Sequence, residues 1–229
     1  MSKLLHKLPK NRDVIYSQID TLLANNLKGR FFSIDLTNFA NAYFDNDYSN
    51  ILCRAELLCV DSEWLPILYY KYGFENSRLT EIFNELIIND RFTHLIIGGP
   101  LFKLRNFQNN SRFVNSNIDI LEVPFLDVKL FDYKEISRTI NNGNYDFIWV
   151  SLGAPKQEIF ISTLFPHVNK GILVGFGYLL DINSGLRNAP EFVRYLKMEW
   201  LFRLCQQPKK QFGRLRLIFK LFLSIFNLR

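Results

Sequence analysis

Hydrophobic positions along this chain follow two periods. Continuous apolar runs occupy residues 57–60, 95–97, 147–150 and 172–176, each bounded by Gly, Pro, Asp or Asn. Runs this short and rich in β-formers read as strands buried on both faces. Between and around them, residues 11–27, 63–72, 79–88, 134–141 and 156–164 carry apolar side chains at helical spacing. Strands alternating with helices predict an α/β, Rossmann-like fold with a mainly parallel sheet flanked by helices. The Asn-rich stretch 106–117 reads as a loop, and neither a repeat nor a Pro/Gly/Ser-rich linker divides the chain. With 229 residues and 48% hydrophobic content, it can bury one large core or two small lobes sharing a sheet. The reading is an α/β core over residues 1–195, its lobes not separable by sequence, and a helical C-terminal appendage over 196–229.

Two strand-loop units carry the chemistry. The run ending at Leu152 reaches Gly153, where a tight turn meets no Cβ, then Pro155, and then Lys156, Gln157 and Glu158 at the start of a helical pattern. A strand, turn and helix start in that order offer backbone N–H groups to an anion such as a diphosphate. The second unit, ending at Phe176, is followed by Gly177, Asp181, Gly185 and Arg187. Side by side, such units place their loops at the carboxyl ends of parallel strands, where open α/β sheets bind ligands. Read one at a time, either set of glycines could equally serve only the turns.

The order Gly153–Glu158 (GAPKQE), Gly175–Asp181 (GFGYLLD), Gly185–Pro190 (GLRNAP) and Glu199–Leu204 (EWLFRL) resembles the WecG/TagA/CpsF glycosyltransferases, glycosyltransferase family 26. The likeness is strongest over residues 145–215. It implies an inverting, metal-independent hexosyltransferase that moves a hexose, such as an N-acetylhexosamine, from a UDP-sugar to a polyprenyl-diphosphate-linked saccharide in bacterial surface polysaccharide synthesis. By the same resemblance Asp61, at the end of an apolar run, is the general base, and Thr37 and Asn38 touch substrate. Gly98, Gly99 and Asp181 shape the nucleotide side. Gly153, Pro155, Lys156, Gln157 and Glu158 hold donor sugar and diphosphate, with Gln157 foremost. A tail arginine, Arg203 or Arg214, with Arg216 a further candidate and Arg187 a loop alternative, meets the leaving diphosphate. A base opposite the leaving group suits inversion, and a cation suits the charge that grows on the diphosphate. For Asp61 taken alone, an N-cap ahead of residues 64–72 remains the other reading. The sequence departs from the family pattern at Ser62, which stands for glycine, and lacks the arginine expected soon after the base, Lys71 being the nearest cation. A non-catalytic member that binds a nucleotide sugar or lipid is the alternative these departures suggest.

Charge separates the tail from the core. Residues 187–229 hold ten Lys and Arg against Glu191 and Glu199, a net +8, so the preceding residues sum to −2 within an overall +6. A basic surface spread over the fold is therefore excluded, and nucleic acid with it. In the tail, Arg216, Lys220, Ser224 and Asn227 form a narrow polar stripe on an otherwise Leu/Ile/Phe-rich helix, too interrupted to span a bilayer. That pattern suits an anionic inner-leaflet surface; packing on the core or on a second copy of the chain is the alternative. Cys53, Cys59 and Cys205 form no CxxC pair and read as reduced thiols, and His6, His94 and His167 are scattered. No cofactor is expected, and Asp45-Asn-Asp47 reads as a polar loop rather than a metal site. The N-terminus lacks a signal-peptide core, so the expected location is the cytoplasmic face of the inner membrane.

Overall fold

The computed structural model describes residues 1–109, 117–124, 126–177 and 208–227, without the side chains of 208–211, 226 and 227. Each apolar run is a strand: β2 (Leu57–Val60), β3 (Thr93–Gly98), β5 (Phe147–Ser151) and β6 (Gly171–Gly175). Two further strands, β1 (Lys28–Ile34) and β4 (Asn117–Glu122), complete a parallel six-stranded sheet in the order β2-β1-β6-β5-β3-β4. Neither stood out as an apolar run, for physical reasons. β1 carries Arg30, whose guanidinium is paired with Glu56 at 2.7 Å and also reaches the Arg54 carbonyl. β4 is an edge strand with exposed Asn117, Asp119 and Glu122. Of the loop expected over 106–117, residues 106–108 belong to α7 (Leu101–Gln108), Asn117 opens β4, and residues 110–116 lie outside the described residues.

Strand side chains alternate between two apolar layers. Phe32, Leu58, Ile97, Ile148, Val150 and Leu173 face one, and Phe31, Leu57, Ile96, Phe147, Trp149 and Ile172 face the other. The first layer is covered by α1 (Ser2–Lys7), α3 (Leu36–Phe44), α4 (Asn46–Cys53), α8 (Tyr133–Gly143) and α9 (Lys156–Leu164). The second is covered by α2 (Arg12–Ala24), α6 (Leu79–Ile87) and α7. In the second layer Trp149 Nε1 donates to His94 Nδ1 at 3.2 Å, which places the imidazole proton on Nε2, and burial lowers the His94 pKa to about 4. This histidine is a neutral core residue. Helix character over 63–72 is interrupted: α5 (Trp64–Leu68) gives way to a single 3₁₀ turn at Tyr70–Tyr72, closed by Gly73 at φ +67°.

The last described element, α10 (Pro208–Asn227), lies against α3. Leu221 is fully buried in the first layer, with Leu217 and Ile225 packed beside it. The tail helix is therefore part of the core on one face. Leu221→Ala is expected to lower unfolding free energy by about 2–4 kcal/mol, whereas Leu223→Ala, on the exposed side, changes it by under about 0.5 kcal/mol. Urea denaturation of the two variants checks the pair.

Candidate active site

In a parallel sheet every strand exits at the same edge, and the sequence-predicted loops gather there. Asp35 follows β1, Asp61 follows β2, Gly99 follows β3, Gly153 follows β5 and Gly177 follows β6. Ile34 and Val60 are register partners, so Asp35 and Asp61 leave adjacent strand ends. The chain after β3 turns into α7 on one face of the sheet, and the chain after β5 turns into α9 on the other. Gly98 and Ser151 are paired across these two strands. Neighbouring strands whose connections diverge to opposite faces open a crevice between their loops, the usual ligand position in open α/β sheets. A Cβ added at Gly99 would meet nothing within 4 Å, so this side of the crevice is open.

The β5–α9 loop is locked on itself. Gly153 adopts φ +79°, and the Ala154–Pro155 bond is cis. The Gln157 amide N–H donates to the Gly153 carbonyl at 3.0 Å, while the Gly153 N–H donates to Gln157 Oε1 at 3.2 Å. Two of the backbone donors counted on for an anion are thus used within the loop. Gln157 is buried, and its Nε2 donates to Glu158 Oε1 at 2.8 Å, so both ends of the amide point inward. A Cβ at Gly177 would lie 2.7 Å from Gly153 Cα and 2.8 Å from Gln157 Oε1, and one at Gly175 would lie 3.1 Å from Gln157 Nε2. The glycines of the two motifs thus let the β6 exit press against the β5 loop. Lys156 turns outward, donating to the Leu126 carbonyl with its ammonium 5.3 Å from the Phe131 ring centre.

Asp61 is half-buried, its N–H bonded to the Ile34 carbonyl at 3.1 Å. Ser62 Oγ accepts from Trp64 N at 3.2 Å and from Leu65 N at 3.3 Å, so the residue in place of the family glycine caps α5. Across the β1 exit, Asp35 caps α3 through a 2.6 Å bond from the Asn38 N–H. Asn38 is buried: its Nδ2 donates to the Ser33 carbonyl at 2.8 Å, and its Oδ1 accepts from the Tyr48 hydroxyl at 3.2 Å. Its amide thus braces the turn that presents half-buried Thr37. Tyr48, which the sequence reading did not single out, and Glu158 face each other where α4 meets α9. No local signal links them, because 110 residues of sequence separate the two.

Asp45 and Asp47 do not form the expected loop: Asp45 Oδ1 accepts from the N–H groups of Asp47 and Tyr48 and caps α4, and Asp47 lies in its first turn. Among the described residues no group of three His, Cys, Asp or Glu side chains could hold a metal ion. On α10, Arg214 is half-buried and Arg216 exposed, and Lys220 Nζ lies 4.3 Å from the Phe44 ring centre. Asp181, Arg187 and Arg203 lie outside the described residues.

The model of the glycosyl transferase WecG/TagA/CpsF family matches residues 6–229. A curated relative from Bacillus subtilis (strain 168), an N-acetylglucosaminyldiphosphoundecaprenol N-acetyl-beta-D-mannosaminyltransferase, is 23% identical over 235 aligned residues, 90% of this chain and 84% of its own length. A protein of the same name from Bacillus spizizenii (strain ATCC 23059 / NRRL B-14472 / W23) is 35% identical over 83 residues, covering 34% of this chain and 31% of its own.

The contact between the two glycine loops is directly testable. Gly177→Ala must move the Gly153 backbone and is expected to destabilise the fold by about 1–3 kcal/mol. Gly99→Ala, with open space around it, should stay within about 0.5 kcal/mol of wild type in the same thermal unfolding assay.

Proposed function

The chain belongs to the WecG/TagA/CpsF glycosyltransferase family, and we propose that it is an inverting transferase that moves an N-acetylhexosamine from a UDP-sugar to a polyprenyl-diphosphate-linked saccharide. The single observation that carries this reading is the gathering of Asp61, the Gly153–Gln157 loop and the Gly98–Gly99 turn at one sheet edge. The Bacillus subtilis relative supports the class of acceptor, since its name specifies a diphosphoundecaprenol-linked sugar and a β product. A β product from an α-linked nucleotide sugar requires attack from the face opposite the diphosphate.

In this mechanism the Asp61 carboxylate takes the proton of the acceptor hydroxyl as its oxygen bonds to the anomeric carbon. The bond between that carbon and the diphosphate oxygen breaks, and UDP leaves with the electron pair. The Gly153–Gln157 loop sets the position of donor sugar and diphosphate, and a tail arginine, Arg203 or Arg214, offsets the charge on the departing diphosphate. No divalent ion is assigned a role. Ser62 is compatible with activity, since it does a capping job and leaves the Asp61 carboxylate at the strand end. Of the two departures that suggest a non-catalytic member, this answers the one at Ser62.

The tail gives the enzyme its place. Among the described residues no helix is long and apolar enough to cross a membrane. On the side of α10 turned from the core, Phe212 (64% exposed), Leu215, Phe219 (65%) and Leu223 stand beside Arg216 and Lys220. Apolar and basic side chains on one helix face suit an anionic bilayer, with the rings in the interface and the cations at headgroup level. Because α10 rests on α3, which begins at the β1 exit, docking of this face brings the sheet edge near the lipid-borne acceptor.

Two measurements test the reading. Transfer from a panel of UDP-sugars to a short-chain polyprenyl-diphosphate-N-acetylglucosamine should pick out one donor and fall by about 10²–10⁴-fold in Asp61→Asn, with UDP binding retained. Full turnover in that variant overturns the base assignment. The double variant Phe212→Asp, Phe219→Asp should lose sedimentation with phosphatidylglycerol vesicles by at least about tenfold while its thermal unfolding stays near wild type. Unchanged sedimentation excludes this face as the docking surface.

A further inference from the structure

Among the described residues, Glu158 is the one Asp, Glu, Lys or Arg that the core encloses completely, at 0% exposure, and it stands inside the loop motif. A carboxyl group in that position needs donors for both oxygens if it is ionised. Oε1 has one, Gln157 Nε2 at 2.8 Å, but Oε2 has none. The group facing the carboxyl is the Tyr48 hydroxyl, whose proton is given to Asn38 Oδ1 at 3.2 Å. A tyrosine has one proton to donate and can still accept. The vacancy at Oε2 and the spare lone pair on Tyr48 are therefore complementary if the missing proton belongs to the acid.

We propose that Glu158 is a positioning residue that holds a proton on Oε2 and donates it to Tyr48 Oη. The bonds along the chain then run in one direction. Glu158 Oε2–H donates to Tyr48, Tyr48 donates to Asn38 Oδ1, and Asn38 Nδ2 donates to the Ser33 carbonyl. On the other side Gln157 Nε2 donates to Glu158 Oε1, and Gln157 Oε1 receives the Gly153 N–H. The chain joins the turn after β1, which presents Thr37, to the loop after β5, so one proton fixes the spacing of two motifs distant in sequence. If Glu158 ionises, Tyr48 must turn its proton toward the carboxylate and Asn38 Oδ1 loses its donor. The surroundings favour the acid: burial raises the Glu158 pKa to about 7, and the Asp35 charge pushes in the same direction, against the bond from Gln157. Tyr48 from α4 and Asp35 from the β1–α3 turn are the titratable groups that face it among the described residues; the Tyr48 pKa is itself raised, by burial first and then by the charges of Glu158 and Asp35.

The sign of the linkage follows. A native pKa above the unfolded value of 4.5 means that the native state binds the proton more tightly. The stabilisation is full below 4.5 and is lost as pH rises toward about 7. Glu158→Gln keeps the shape and donates permanently from its amide. Wild type should lose about 5 °C of melting temperature relative to Glu158→Gln between about pH 5 and about pH 8, the effect of His94 cancelling because both proteins carry it. Glu158→Ala should be the least stable at every pH. A difference between wild type and Glu158→Gln that does not change with pH overturns the proposal. So does a Glu158→Gln protein no more stable than Glu158→Ala. Infrared spectroscopy gives an independent readout: a carboxylic-acid C=O band near pH 6, absent in Glu158→Gln and moved to higher frequency in Tyr48→Phe. Absence of that band in wild type also overturns it. A kinetic arm rests on the proposed transferase activity: donor kcat/KM should show an alkaline decline with a midpoint near 7 that Glu158→Gln removes, and a decline that persists counts against the positioning role. Lack of transfer by every variant alongside the expected melting difference would tell against the assigned reaction and leave the proton in place.

Discussion

Parallel strand pairing is the constraint on which this molecule depends. Each of the six strands runs the same way, so every return connection must cross a face, and both faces must be covered. Two apolar layers follow from that requirement, and so does the collection of all strand exits along one edge. Polar and glycine-rich positions can then be confined to that edge without weakening the core. The divergence of α7 and α9 to opposite faces opens the crevice there, and the close approach of Gly177 to Gly153 shapes one of its walls.

The edge is held by polar groups turned inward. Gln157, Glu158, Asn38 and Tyr48 are buried, and their bonds link segments that sheet pairing alone would not hold in register. Buried polar networks are demanding, since leaving a buried group without its partner costs more than the bond itself contributes. In exchange they define one arrangement of loops rather than several. For the flexible, charged donor proposed above, such rigidity is an advantage, because turns set in advance need not be ordered when substrate arrives.

The tail helix has two unlike faces. Leu221 ties it to the first apolar layer, and the opposite face keeps large apolar side chains in solvent next to Arg216 and Lys220. An exposed apolar row of this kind is costly for a protein that works in bulk water and useful for one that meets a bilayer. The sequence reading treated packing on the core and docking on a membrane as alternatives. A helix has enough circumference for both.

The sequence by itself determined the α/β class, four of the strands, the turn at Gly153, the helix that begins at Lys156 and the family, because each is written locally: in apolar runs, in glycine and proline placement and in short ordered motifs. It did not reveal β1 or β4, whose Arg30 and Asp119 break the apolar pattern and find their partners only in the folded chain. It read Asp45 and Asp47 as loop residues, although their meaning as a helix cap depends on backbone direction. Only the tertiary structure decided that Gln157 and Glu158 turn inward, that Ser62 caps α5, and that Tyr48 meets Glu158. Tyr48 and Glu158 lie far apart in sequence, and the other contacts, though local, depend on which way each side chain turns, since a hydrogen bond has direction and a reach of about 3 Å. A linear pattern records which groups are present, while the fold alone sets which of them can reach one another.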